Sequence, residues 1–171
     1  MYLFEILLFV ILISFTLAAL SIAPFVPTRK NDLPRIHALA ELKPGQVFFE
    51  MGFWDSRVCR YIAKNNPKAT VIGIDMCFPL YVIAKVWLVL SPIKNLQIQF
   101  GDGFSQDLKN VDVVYVFWVP DSMKWLQKKF EKSLKKGAKI ISYVCEMKEW
   151  KGKVTKHKPD TDTLSLNVHI K

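Results

Sequence analysis

The chain has 171 residues, 24 Lys and Arg against 15 Asp and Glu, a formal charge of +9, and three cysteines. That length allows one domain with a real core and leaves no room for a separate substrate domain. Cys59, Cys77 and Cys145 are odd in number and form no C-x-x-C pair. This speaks against a disulfide framework and for buried free thiols in a reducing compartment, and with His37, His157 and His169 isolated from them no metal site is expected.

Residues 2–23 form a nearly unbroken apolar run in which Glu5 is the only charge. A membrane-spanning helix needs about 20 mostly apolar residues, and the run has that length. A cleaved signal peptide is the rival reading, since Ser21-Ile22-Ala23 offers a small-x-small pattern. However, no Lys or Arg precedes the run, and an h-region is shorter, roughly 7–15 residues. The expectation is therefore an anchor over 1–23 and one domain over 24–171. Arg29, Lys30 and Arg35 follow the run, so the positive-inside tendency puts the domain in the cytoplasm or the equivalent compartment of an organelle.

The pattern after the anchor alternates helices and strands. Residues 31–42 read as a helix with Leu33, Ile36 and Ala40 on one face, ended by Pro44-Gly45. Strands are expected at 46–51, 70–75, 95–100, 111–119, 138–145 and 163–170. Helices fall at 55–64, 79–90 and 121–136, the last with Met123, Leu126, Phe130 and Leu134 inward and Gly137 at its C-cap. Such alternation means an α/β fold with a doubly wound, mostly parallel sheet. The last strand has no helix before it, so it is expected to pair antiparallel.

Twelve lysines between Ser122 and Pro159 face Glu131, Glu146 and Glu149 alone. Such a face suits anionic lipid or an acidic partner, or is simply solvated. Nucleic acid is disfavoured, because the chain carries no recognition motif and its aromatics lie in apolar runs rather than among the charges.

In sheets of this kind ligands sit outside the carboxyl ends of the strands, near the point where strand order reverses. Four acids stand there: Glu50 closes the first strand, Asp75 closes the second, and Asp102 and Asp121 follow the third and fourth. Each alone reads as a cap or turn former. Together they read as a ligand rim. A carboxylate ending the second strand is placed for the ribose hydroxyls of a nucleoside. One after the third is placed for an adenine amino group, with Phe104 to stack on the ring.

The runs Glu50-Met51-Gly52-Phe53-Trp54-Asp55-Ser56-Arg57, Gly73-Ile74-Asp75, Gly101-Asp102-Gly103-Phe104 and Val116-Phe117-Trp118-Val119-Pro120 resemble class I S-adenosylmethionine-dependent methyltransferases with a Rossmann-like sheet. Ala23-Pro24-Phe25-Val26-Pro27-Thr28, directly after the apolar run, narrows the likeness. It resembles the small membrane-anchored protein-lysine methyltransferases of the ATP synthase c-subunit and adenine nucleotide translocator type and their prokaryotic relatives. The resemblance implies S-adenosyl-L-methionine as cofactor, the lipid bilayer as a partner and a membrane protein as substrate. It implies that Glu50 and Gly52 border the methionine part, Asp75 the ribose, and Asp102 and Phe104 the adenine; Trp54, in the same turn, either fills the methionine pocket or turns outward and leaves it open. Pro27 and Thr28 would close over cofactor or substrate lysine, and Asp121, unless it only caps its helix, would orient the lysine amine.

The chain departs from that pattern where relatives carry acidic-x-Gly-x-Gly-x-Gly: Trp54 and Ser56 stand at the second and third glycines. A second class of function therefore remains, a tethered binding or scaffold protein on the same fold. A dinucleotide-dependent oxidoreductase would need G-x-G-x-x-G after the first strand, where the chain has Gly52 alone.

Overall fold

Five short apolar stretches become the parallel part of a seven-stranded sheet in a computed structural model, which describes residues 2–19 and 26–171. They are β1 (Val47–Met51), β2 (Thr70–Asp75), β3 (Leu96–Phe100), β4 (Val113–Val116) and β5 (Lys139–Tyr143). With β6 (Val154–His157) and β7 (Leu166–Ile170) the spatial order is β3-β2-β1-β4-β5-β7-β6, and β7 runs antiparallel to both neighbours. The direction of winding reverses between β1 and β4, which pair in parallel. Ligands of doubly wound sheets bind at such a reversal.

The helices are α1 (Tyr2–Ala19), α2 (Leu33–Ala40), α3 (Arg57–Asn65), α4 (Phe78–Leu90) and α5 (Pro120–Ser133). Ile36 and Ala40 of α2, Val58, Cys59 and Ile62 of α3 and Ala84 of α4 form one core layer with Phe48, Val71, Tyr115 and Tyr143 of the sheet. On the other face Met123, Leu126 and Phe130 of α5 pack on Phe49, Val114 and Ile140, with Leu134 just beyond the helix in the same cluster. Successive strand residues point to opposite faces, so β1 sends Phe48 and Glu50 under α3 and Phe49 and Met51 under α5.

Several boundaries differ from the sequence expectation. The helix of 31–42 opens as a 3₁₀ turn over Lys30–Asp32, and Glu41 stops it with φ 46°. The helix of 55–64 starts at Arg57, because Ser56 is left-handed at φ 58°. Gly137 is not the C-cap of α5. That helix stops at Ser133 with Leu134 extended, and the Lys171 ammonium takes its terminal carbonyls at Glu131 and Leu134. The strand β6 was expected as loop.

The membrane-spanning helix expected over 1–23 falls partly outside the described residues. Its described part is α1, 18 residues, about 27 Å at 1.5 Å per residue. Among the described residues no helix is long and apolar enough to cross a membrane. Residues 20–23 of the apolar run, and Pro24 and Phe25 of the proline-rich segment, lie outside those described.

Candidate active site

The rim is built from the turn after β1. Gly52 has φ 83°, Trp54 φ 51° and Ser56 φ 58°, so all three positions that carry glycine in the resembled pattern are left-handed. The backbone path is kept although two of the glycines are gone. For an L-residue that conformation costs roughly 1–2 kcal/mol, and here the surroundings hold it in place. The Gly52 N–H donates to the Ile74 carbonyl at 2.9 Å, and the Ser56 N–H to that of Phe53 at 2.7 Å. The Trp54 N–H donates to Asp75 Oδ2 at 2.9 Å.

Asp75, at the tip of β2, also accepts from the Cys77 N–H through Oδ1 at 2.8 Å. Its carboxyl thus ties the first turn to the start of α4. Burial pushes its pKa above the usual carboxylate value against those backbone hydrogen bonds. Each oxygen keeps a lone pair for a ligand hydroxyl.

Glu50 is placed differently. It is 2% exposed, and Oε2 accepts from both the N–H and the thiol of Cys59 in the first turn of α3. Burial pushes its carboxyl up to about 8, outweighing the Cys59 hydrogen bonds. In this geometry Glu50 fastens α3 beneath the turn. Gly73 makes that approach possible, since a Cβ there would stand 2.6 Å from Cys59 Sγ.

Asp102 and Phe104 sit on the short connection from β3 to β4, where a 3₁₀ turn (Gly103–Ser105) replaces a helix. Asp102 Oδ1 accepts from the Phe104 N–H at 2.9 Å. The Phe104 ring meets Trp118 edge-on at 5.0 Å between centroids. Trp118 in turn donates from Nε1 to the Met51 carbonyl at 3.0 Å, bridging the tips of β1 and β4 at the reversal point. Below the turn, Lys129 of α5 donates to the carbonyls of Phe104 and Gln106 at 2.6 and 2.7 Å, and partial burial lowers its pKa. One lysine of the basic stretch is therefore a fastener of the rim. Lys135, paired with Asp112 at 2.7 Å, and Lys139, paired with Glu41, serve the foot of the sheet.

Thr28 reaches the rim from the N-terminal side. It is buried, and its hydroxyl shares a 2.6 Å hydrogen bond with the Tyr115 hydroxyl of β4. The Thr28 carbonyl accepts from Arg57 Nη1 at 2.9 Å, and Arg57 also binds Asp55 in the turn after β1. Further on, Asp32 accepts from the Tyr143 hydroxyl and from Arg35, both at 2.5 Å. Residues 26–32 thus form a strap fixed to β4, β5 and the first turn, and half-buried Pro27 is part of it. Asp121 stands exposed as the second residue of α5, where Val119 rather than Asp121 occupies the N-cap. The helix dipole favours a carboxylate there.

Of the nine residues singled out in the sequence, Gly52, Trp54, Asp75, Asp102 and Phe104 line one rim at the tips of β1 to β3. Thr28 and Pro27 come to it by the strap and Asp121 by α5, while Glu50 lies beneath it. Sequence reasoning missed Tyr115, Tyr143, Asp32 and the bridging role of Trp118. A hydroxyl-bearing tyrosine inside an apolar strand was the available signal for the first two, because a buried phenol usually finds a partner. A cleft of about 580 Å³ lined by Glu41, Lys43, Asp112, Lys135 and Lys139 opens at the opposite end of the strands, away from this rim.

The rim suits a nucleoside bearing a sulfonium amino acid. Left-handed turn residues expose backbone, and the carboxyls of Asp75 and Asp102 stand at successive strand ends. The comparisons agree. The ANTKMT methyltransferase domain matches residues 50–154, more than half of the chain. A protein-lysine N-methyltransferase of Saccharolobus islandicus is 24% identical over 131 residues, which are 76% of this chain and 81% of that protein. A tRNA (guanine-N(7)-)-methyltransferase of Helicobacter pylori is 33% identical over 72 residues, 42% of this chain but 18% of that protein. Among solved structures, an RNA methyltransferase from Salinibacter ruber in complex with S-adenosyl-L-homocysteine superposes with a TM-score of 0.75 at 21% identity, over 85% of this chain and 93% of that one. A SAM-dependent O-methyltransferase from Thermotoga maritima gives 0.66 at 17%, over 84% and 66%. At such identities the structural matches speak for the fold, and the domain match carries the family. The chain belongs to the ANTKMT methyltransferase-domain family of S-adenosyl-L-methionine-dependent enzymes.

Proposed function

We propose that the protein transfers a methyl group to a lysine side chain of a membrane protein, working at a membrane to which its N-terminal apolar segment attaches it, with the domain on the cytoplasmic or equivalent side. The observation that carries a working methyltransferase is the retained left-handed path at Gly52, Trp54 and Ser56 beside Asp75. A chain released from binding its cofactor would have no reason to hold a tryptophan and a serine in strained glycine conformations. The Saccharolobus protein-lysine N-methyltransferase aligned over most of both chains supports lysine over RNA. The tRNA enzyme shares less than half of this chain. Phe4, Ile6, Phe9 and Leu12 of α1 are apolar and exposed, which supports attachment to a membrane.

The cofactor supplies an electrophilic methyl group. The chain supplies position and dryness, which account for much of the rate in an in-line displacement. Asp75 and Asp102 would hold the nucleoside, and Trp118 and Phe104 would form the apolar wall at the reversal point. The strap closes one side through Thr28. Asp121 accepts a hydrogen bond from the incoming ammonium and aims it. An unperturbed lysine, with a pKa near 10.4, is neutral in only about 0.04% of molecules at pH 7, so a desolvated approach that sheds its proton to water speeds transfer.

The test is incubation of the full-length chain with membranes and S-adenosylmethionine tritiated on its methyl group, followed by acid hydrolysis. Label in methyllysine is the expected result. Calorimetry with S-adenosylhomocysteine separates the scaffold alternative, which predicts no heat of binding. Label in nucleic acid alone would overturn the lysine assignment.

A further inference from the structure

We infer that α4 is a second membrane-contacting element, lying in the plane of the lipid interface and setting the angle at which the rim meets the bilayer. This rests on the membrane attachment proposed above, and it adds an orientation to it.

Helix α4 reads FPLYVIAKVWLVL and buries only Ala84 fully. Val82, Ile83, Val86, Trp87, Val89 and Leu90 are exposed, Val89 and Leu90 at 78% and 73%. An ordinary surface helix turns polar residues outward. Here the outward side is apolar except for Lys85, and an exposed apolar patch of this extent marks a contact surface.

Three observations select lipid as the occupant. The patch is continuous with α1, which runs against α4 and exposes Phe4, Ile6, Phe9 and Leu12. The segment from Met76 to Gly101 has no Asp or Glu, while Lys85 and Lys94 lie in it. Arg60 sits over the Trp87 ring at 5.3 Å and Lys85 by the Tyr81 ring at 5.9 Å, so the apolar strip is edged by cations on aromatic rings. Apolar side chains beside basic ones, with amphipathic aromatics between them, form the surface that sits at an anionic headgroup boundary. The strip also runs into the rim. Exposed Met76 follows Asp75 directly, and exposed Phe78 packs on Phe100 just before Gly101 and Asp102. A bilayer on α4 therefore borders the cofactor side of the site.

The experiment uses the full-length chain in vesicles of phosphatidylcholine with a quarter phosphatidylglycerol, with and without bromine on the acyl chains. Bromine quenches tryptophan emission only at close range. Trp87 should account for most of the quenching, which falls about threefold or more in Trp87→Tyr. Trp125→Tyr, which alters an exposed tryptophan on α5 across the sheet, should leave it unchanged. The double variant Val89→Asp with Leu90→Asp should lower quenching by a similar factor while circular dichroism stays that of the wild type. Floating with vesicles but equal quenching in Trp87→Tyr overturns the role of α4 and leaves attachment standing. Failure to float at all overturns both. A detergent-solubilised dimer abolished by the double variant, together with absent Trp87 quenching, would assign the strip to a second copy of the chain instead.

Discussion

Ser56 and Trp54 show how a loop outlives the residues that make it easy to form. Ser56 is buried, left-handed at φ 58°, and its Oγ has no hydrogen-bond partner. It carries both conformational strain and an unmet hydroxyl. Ser56→Gly removes both, and the greater freedom of unfolded glycine offsets part of the gain. A net stabilisation of about 1 kcal/mol is expected, seen as a rise in Tm of roughly 2–4 °C. Asp75 tests the cofactor end of the same turn. Asp75→Ala deprives the Trp54 and Cys77 N–H groups of their acceptor as well as the ligand, so binding of S-adenosylhomocysteine should weaken by roughly 1.5–3 kcal/mol in calorimetry. Unchanged affinity would reduce Asp75 to a turn former. The acids at strand ends were legible because residue type and strand position fix where a carboxyl can go. That Glu50 would face α3 was not, since its partner Cys59 is apolar in any pattern count and the pairing depends on Gly73 letting the thiol in.

Among the elements, the strap of residues 26–32 shows how tightly a non-repetitive segment can be specified. Thr28 meets Tyr115, Asp32 meets Tyr143, and Arg57 joins the strap to the turn after β1. Arg57→Ala removes a side chain that touches both strap and turn. The Arg57–Asp55 pair is partly solvated, with side chains 25% and 35% exposed, so the stability loss should be modest, about 1 kcal/mol or less. Mobility should respond more. Backbone amides of residues 26–32 are expected to exchange several-fold faster in hydrogen-exchange mass spectrometry while those of β1 and β4 stay protected. Elements with strong apolar content were readable from sequence, β2 and α4 to within a residue. Strand β6 was not. Val154–His157 lies at the sheet edge, mostly exposed, with Lys156 in it and Lys153 and Lys158 beside it, which is how edge strands discourage pairing with other chains and also how basic loops look. The strand expected over 111–119 is shorter, Val113–Val116, because Phe117, Trp118 and Val119 continue the apolar run into the rim. Apolar content cannot tell a strand from the wall of a site.

For the molecule as a whole, the buried Glu50 couples stability to pH. Its folded value is about 8 against a model value of 4.5. Below 4.5 both states hold the proton and the contribution is complete. Between about 4.5 and 8 the unfolded chain has released a proton that the folded one keeps, so stability falls as pH rises, by at most ~1.4 kcal/mol per unit. Asp75, also raised, acts in the same sense. Tm should drop by several degrees between about pH 5.5 and about pH 8, and Glu50→Gln, which has no proton to lose, should flatten that slope in a calorimetric scan. The doubly wound sheet was legible from the alternation of strands and helices, and its antiparallel end from the missing helix before the last strand. The strap has a consequence for range. Thr28, pinned to β4, follows Ala19 of α1 by nine residues, which sets a separation of at most ~32 Å. On the proposed membrane reading, the rim works within that radius of the apolar helix, so only amines in short loops or juxtamembrane stretches come within reach, and a lysine on a tall extramembrane domain is passed over whatever its flanking sequence.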